Sequence, residues 1–410
     1  MRSKLLVVGL VVVAAFAAAT LLLGPPGASA QDTGIAVSAE SGSGGAVSVG
    51  TPSTVLLGSL PAARFAATAV DGTGRPQNGM SDKEWAERWK KAGQRRDTAM
   101  PGTPIQAPPP GKGPEAMVVE EAAGVNTPSL ANNFDGLSQA GWVPADMGLA
   151  VGITYIVQAV NSQITVLNKS GAVQLGFPKT LNSFFLEPDY PAAPIVFDPR
   201  CLYDWVKDRY ICIAVQMAPG GAVGRVHLAV SQTNNPLGLW WIYKNIYPFG
   251  TGTWPDFPGL GQDREGIYIT FNRFTTPPYT FVHAVTLLFR KTHVYAGSAT
   301  SYWYQFGFDV GGTMIDTLQP ANVQSDADNP RAEFMVNSYN IKFGGGQCFS
   351  GCNGLVVWAI SNPFGFQAAG PAPRFSSVLV PTPSTYYLSL GAHQPSCNYC
   401  IDSGDTSTSP

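Results

Sequence analysis

A strand-rich unit recurs four times after about residue 140, which restricts the chain to a small set of all-β folds. Each copy sets a turn-forming Asp/Pro or Gln/Pro cluster ahead of a β-branched or aromatic run. Pro144-Ala145-Asp146 leads to Tyr155-Ile156-Val157, and Phe197-Asp198-Pro199 leads to Tyr210-Ile211-Cys212-Ile213. Pro255-Asp256-Phe257-Pro258 leads to Tyr268-Ile269-Thr270-Phe271, and Gln319-Pro320-Ala321-Asn322 leads to Phe334-Met335-Val336. The anchors Tyr155, Tyr210, Tyr268 and Phe334 fall roughly 55 to 65 residues apart, a little longer than one blade of the common β-propeller repeats. No stretch of this region carries convincing helical periodicity. Blades of four antiparallel strands, packed radially, are the simplest way to bury such units. A two-sheet lectin-like sandwich is the alternative.

Residues 1–30 read as an export signal. Arg2 and Lys4 precede an apolar run from Leu5 to Leu23, Pro25-Pro26 breaks any helix, and Ala28-Ser29-Ala30 is a small-residue cleavage site. The run is long enough, at about 19 residues, that an uncleaved membrane anchor is the competing reading. Either way the bulk of the chain lies outside the cytoplasm. Six cysteines agree with an oxidising destination. Cys201 and Cys212 flank a turn centred on Val206-Lys207, and that register sets Tyr203 against Tyr210 and Cys201 against Cys212, within reach of a bridge. Cys348 with Cys352, and Cys397 with Cys400, close two local rings or bridge to each other; a four-thiolate zinc site and a redox Cys-x-x-Cys are the sharper and less favoured alternatives.

The domain organisation follows. Residues 31–124 form a low-complexity leader, flexible where Gly, Ala, Ser, Thr and Val dominate. One helix near 82–96 opens on the capping box Ser81-Asp82-Lys83-Glu84, with Trp85 and Trp89 one turn apart, and a Pro-rich linker runs from Pro101 to Pro114. Residues 125–410 form the repeat domain. Charged residues are 13% of the chain, about half the usual quarter, which argues against a nucleic-acid partner.

The motifs also carry a resemblance. Phe134-Asp135-Gly136-Leu137, Asp146-Met147-Gly148-Leu149-Ala150-Val151-Gly152, Leu202-Tyr203-Asp204 with Asp208-Arg209-Tyr210, and Asn235-Pro236-Leu237-Gly238 with Trp240 are similar to segments of a family of secreted bacterial β-propeller proteins of uncharacterised function. Asp256-Phe257-Pro258-Gly259-Leu260-Gly261 followed by Gly266-Ile267-Tyr268 resembles the third blade of that family. The resemblance spans roughly residues 125–405 and implies architecture rather than activity. It also implies a further blade opening at Tyr386-Tyr387-Leu388 and Ile401-Asp402-Ser403-Gly404-Asp405, so the ring reads as C-terminally truncated, with an unpaired edge open to association.

No catalytic motif stands out, and none calls for a cofactor. Ser231 to Trp240 resembles the outer-turn box of sialidases, a fold element. The best candidate binding residues are Asp146, Asp198 and Asp256, each in the connection entering an inner strand, where carboxylates could face a central channel. The alternative is that each Asp binds backbone N–H groups of its own turn. Asp326, Asp328 and Asn329 are a weaker calcium candidate. Trp240-Trp241, Tyr302-Trp303-Tyr304 and Phe184-Phe185 set neighbouring rings on opposite strand faces, so one of each set could meet a sugar. The leading expectation is a secreted, non-catalytic scaffold that binds an extracellular glycan or protein, touching a membrane only through an uncleaved signal. A secreted glycan hydrolase with carboxylates at the channel is the alternative, and a cell-surface structural protein the third.

Overall fold

The computed structural model describes residues 35–37, 44–60, 132–137, 146–161, 163–188, 195–217, 224–275, 280–325, 332–341, 348 and 351–386. The signal, the helix near 82–96, the calcium candidate and Cys397 with Cys400 lie outside them.

Three short strands come first: β1 (Ile35–Val37), β2 (Gly44–Val49) and β3 (Ser53–Leu56). Four antiparallel sheets follow, each built in chain order from its inner strand outward. Blade 1 holds β4 (Gly148–Val151), β5 (Tyr155–Val160), β6 (Gln163–Asn168) and β7 (Lys179–Thr180), and blade 2 holds β8 (Ile195–Asp204), β9 (Arg209–Met217), β10 (Gly224–Ser231) and β11 (Leu239–Ile246). Blade 3 holds β12 (Thr253–Gln262), β13 (Gly266–Thr275), β14 (Phe281–Arg290) and β15 (Thr300–Phe306). After the small hairpin β16 (Asp309–Val310) and β17 (Thr313–Met314), blade 4 holds β18 (Gln319–Pro320), β19 (Glu333–Tyr339), β20 (Cys352–Ser361) and β21 (Arg374–Tyr386). This is the propeller arrangement that the repeat implies. Two one-turn helices, α1 (Leu181–Phe184) and α2 (Lys291–Val294), punctuate it.

Alternation of side chains along each strand explains the packing. Tyr210, Cys212 and Ala214 of β9 face blade 1, meeting Val157, Ala159, Ile164 and Val166. The intervening Ile211, Ile213 and Val215 face blade 3, meeting Ile267, Ile269, Phe271 and Leu287. Tyr268 and Leu288 then turn to blade 4, joining Met335, Val356, Trp358 and Ile360. Blades 2 and 3 are therefore apolar on both faces, which is why their central strands read as continuous runs. The end blades alternate instead. Leu149 and Val151 are 57% and 38% exposed on blade 1, and Phe334 and Val336 are 44% and 37% exposed on blade 4. Blades 4 and 1 share no core cluster among the described residues.

The leader departs from the expectation. Part of it is ordered: β1 pairs with β21, β2 with β15 and β3 with β11, so the chain lays a fifth strand on blades 4, 3 and 2 in turn. The outer edges of those blades are occupied, not unpaired. At the end of this run Lys179 of blade 1 donates its Nζ to the Leu60 carbonyl. Small residues make the approach feasible, since a Cβ at Gly44 would collide with the Tyr304 carbonyl and the Trp303 ring. Backbone hydrogen bonds hold these added edge strands, and Val47, Val49 and Val55 also pack into the cores of the blades they join. Tyr386 also differs from its reading as the start of a fifth blade: it ends β21, and its hydroxyl donates to the Gly354 carbonyl at 2.7 Å.

Cys201 bridges Cys212 with Cα atoms 4.2 Å apart, in the expected register with Tyr203 opposite Tyr210. Cys348 bridges Cys352, settling that half of the open pairing as a local ring. Deleting residues 31–59 should expose the outer edges of blades 2, 3 and 4. The thermal midpoint is expected to fall by roughly 5 °C or more, with concentration-dependent association in light scattering. An unchanged, monodisperse deletion variant would show that the edge strands contribute nothing.

Candidate functional site

The three candidate aspartates converge at the end where the chain enters each inner strand. Asp146 sits two residues ahead of β4, Asp198 lies within β8 and Asp256 within β12. Asp198 and Asp256 are buried, and Asp146 is half-buried. Their positions are set by a kink repeated in each blade. Asp146, Asp198, Phe257 and Thr317 all have φ between 40° and 55°, a left-handed conformation that side chains rarely adopt. A bulge follows, between Phe197 and Arg200 in blade 2 and between Asp256 and Gly259 in blade 3.

This register corrects one equivalence. Asp256 pairs with Asn272 just as Phe197 pairs with Val215, so the counterpart of Asp198 is Phe257. Asp256 therefore stands one residue earlier than the motif spacing suggests. The Asp/Pro cluster marks the kink but does not reveal which residue takes the left-handed turn.

The kinked amides cross-link the blades. The Asp198 N–H donates to Asn161 Oδ1 of blade 1 at 2.7 Å, and Asn161 Nδ2 donates to Asp146 Oδ2 at 2.6 Å. The Phe257 N–H donates to Asp198 Oδ2 at 3.3 Å, and the Thr317 N–H donates to Asn272 Oδ1 at 2.8 Å. Arg200 extends the network, donating to the Pro258 carbonyl at 3.2 Å and to the Met147 carbonyl at 3.3 Å. Asp198 thus accepts from the neighbouring blade's backbone rather than from the amides of its own turn.

Burial, followed by the charge of Asp256, pushes the Asp198 carboxyl up to about 7; the hydrogen bond with Asp146, the Arg200 charge and the Phe257 amide oppose the rise. A buried acid that keeps its proton to neutrality, hydrogen-bonded to a half-buried one beside a third carboxyl, can deliver or accept a proton near pH 7. It can also hold a hydroxyl-rich ligand.

The other sequence candidates resolve differently. Ser231 to Trp240 is the outer turn of blade 2: Ser231 Oγ accepts from the Tyr210 amide and Trp240 Nε1 donates to the Pro236 carbonyl, both at 2.8 Å. Phe184 and Phe185 are both buried and lie on or next to α1, not on a strand, so neither is offered to a ligand. Trp241 and Tyr304 pack against the core between blades 2 and 3, and Trp303 against that between blades 3 and 4. Among the described residues no cluster of three His, Cys, Asp or Glu could hold a metal.

Comparisons with known proteins add little. No family model matches, and no curated protein matches. Among solved structures the chain is similar to an exo-β-1,3-galactanase from Phanerochaete chrysosporium, with 11% identity and a TM-score of 0.30 over 60% of this chain and 51% of that one. An α-L-arabinanase from Penicillium chrysogenum gives 11% identity and 0.29, over 57% and 73% of the two chains. A GH43 β-1,3-galactosidase gives 11% and 0.27, over 58% and 90%. The match thus spans about half the length of the galactanase.

The raised Asp198 acid has a signature in stability. The folded state keeps this proton up to about pH 7, whereas an unfolded aspartate releases it near pH ~4. Stability from this group is therefore fully present below pH ~4, declines as pH rises to about 7, and is level above. Asp198→Asn should remove that slope, so the difference in thermal midpoint between variant and wild type changes from pH 4 to 7 and stays constant beyond pH ~8. A difference independent of pH would contradict the assignment.

Proposed function

We propose that this chain acts on glycans outside the cytoplasm as a hydrolase, with its chemistry at the entry end of the inner strands. Asp146, the most exposed of the three carboxyls, meets the glycosidic oxygen as the acid. Asp198 behind it stores the proton, and Asp256 is the second carboxylate of the pair that glycoside hydrolysis requires. The observation that carries this reading is the Asp146–Asp198 hydrogen bond around a buried acid pushed up to about 7, with Asp256 adjacent. Export is supported by the two disulfides of the described blades and by the signal-like residues 1–30. Among the described residues no helix is long and apolar enough to cross a membrane.

A second reading, a non-catalytic glycan-binding scaffold, is favoured by the Phe257 amide and by Asp146, which occupy Asp198 with protein partners. Release of reducing ends from a panel of polysaccharides, β-1,3-galactan and arabinan included, separates the two. The hydrolase reading expects turnover by the wild-type chain that drops about 10²- to 10⁴-fold in Asp146→Asn and Asp256→Asn. Glycan retention without turnover would establish the scaffold instead. Turnover indifferent to both substitutions would remove these carboxyls from the chemistry.

A further inference from the structure

The far end of the inner strands, away from the candidate carboxyls, is closed between blades 2 and 3 by a buried amine and a buried carboxyl. Asp204 ends β8, and Lys291 is the first residue after β14. Their side chains are 1% and 4% exposed, and Lys291 Nζ lies 2.6 Å from Asp204 Oδ2. The Lys291 amide donates to the Glu265 carbonyl at 2.8 Å, which anchors the turn from which the side chain reaches across. Tyr295 follows one helical turn later, its amide donating to the Lys291 carbonyl, so the two side chains share a face. The Tyr295 hydroxyl donates to the same Oδ2 at 2.6 Å.

The lysine is not needed to hold the turn after β8. Asp204 Oδ1 accepts from the Val206 and Lys207 amides there, both at 3.0 Å. Asp263, the counterpart of Asp204 in blade 3, forms the same kind of turn with no lysine on its carboxyl. Its Oδ1 accepts from the Glu265 and Gly266 amides and its Oδ2 from the Tyr268 hydroxyl. In blade 4 the first residue after the corresponding strand is Asn362, whose amide turns away to the Pro371 carbonyl, and a cavity of ≈ 380 Å³ opens at that junction. A buried ion pair is a weak source of stability, because desolvation offsets most of its attraction. Turn formation and stability therefore leave the lysine at the first junction unexplained.

We propose that Lys291 and Asp204 condense into an isopeptide bond, a covalent staple between blades 2 and 3. Transfer of one proton across the 2.6 Å contact leaves a neutral amine facing a neutral carboxyl. The Nζ lone pair adds to Cγ, and negative charge develops on Oδ1, where the Val206 and Lys207 amides already point. Oδ2 then leaves as water, its second proton drawn from Nζ through the Tyr295 hydroxyl, which gives one proton and takes one. One C–N bond forms, one C–O bond breaks, and nothing is oxidised or reduced. Gln262 Oε1, 2.8 Å from Nζ, orients the amine and stays as the acceptor for the N–H of the product amide.

Burial pulls Lys291 below its ordinary range, against the charge and hydrogen bond of Asp204, which favours the neutral amine that the step requires. Exclusion of water protects the product from hydrolysis. Gln262 is the competing electrophile, but its Nε2 has no hydrogen-bond partner among the described residues, and so no donor to help it leave as ammonia. The cross-link uses none of the carboxyls at the entry end, so it goes beyond the proposed hydrolysis and does not depend on it.

Peptide mapping by mass spectrometry tests the bond on the full chain, reduced, alkylated and unfolded in urea before digestion. The peptides carrying Asp204 and Lys291 should be recovered joined, lighter than their sum by one water; an ion pair would not survive that treatment. Lys291→Arg keeps the charge but should yield the two peptides separately. Tyr295→Phe should slow the joining by about tenfold or more in freshly made chain. Recovery of both residues unmodified from the wild-type chain would overturn the proposal, as would Lys291 joined to Gln262 with loss of ammonia. Joining of Tyr295→Phe at the wild-type rate would remove the hydroxyl from the step. The wild-type chain alone decides whether the bond exists, whatever the folding of the variants.

Discussion

A left-handed residue at the entry of each inner strand is the constraint on which the described architecture depends. Turning the backbone there aims an amide N–H sideways, out of its own sheet, where only a side chain of the preceding blade can receive it. Asn161, Asp198 and Asn272 are those acceptors, one at each of the three junctions. The apolar clusters between blades supply most of the burial, but they are non-directional. The kinked amides add direction, tying each blade to the next at a fixed angle and depth. Leaving such an amide unpaired in the interior would cost about 1–3 kcal/mol, which makes the acceptors hard to replace.

The same device gathers the carboxyls. Asp198 is at once a kinked residue and an acceptor for the next kink, so its side chain must be buried between blades 1 and 3. Asp146 reaches it both directly and through Asn161, and Asp256 is carried in by the bulge. A structural network therefore produces a proton-holding cluster at the one place where three inner strands converge. At the other end of those strands the junctions differ from one another. A lysine, an aspartate and a tyrosine fill one of them, whereas a cavity opens at the next.

Much of this was legible from residues alone. The four blades follow from the spacing of turn clusters and aromatic runs, and the Cys201–Cys212 bridge follows from hairpin register, because pairing across a short turn is fixed by counting. What escaped is what counting cannot reach. The strands at Gly44–Val49 and Ser53–Leu56 are short and sit among Gly, Ser and Thr, so the few apolar residues they bury (Val47, Val49 and Val55) do not stand out as a pattern. The bulge displaces Asp256 by one residue relative to its motif. Phe184-Phe185 looked like strand alternation because two adjacent aromatics carry no period of their own.

Residue-resolved amide hydrogen exchange measures the central constraint most directly. The N–H groups of Asp198, Phe257 and Thr317 belong to kinked residues whose acceptors are side chains of the preceding blade. They should nonetheless exchange as slowly as the buried strand amides of Ile211 and Ile269, and the amide of Asp198 should lose that protection in Asn161→Ala. Exchange of all three at the rate of solvent-exposed loop amides would contradict the account, because the blades would then be held by apolar contact alone.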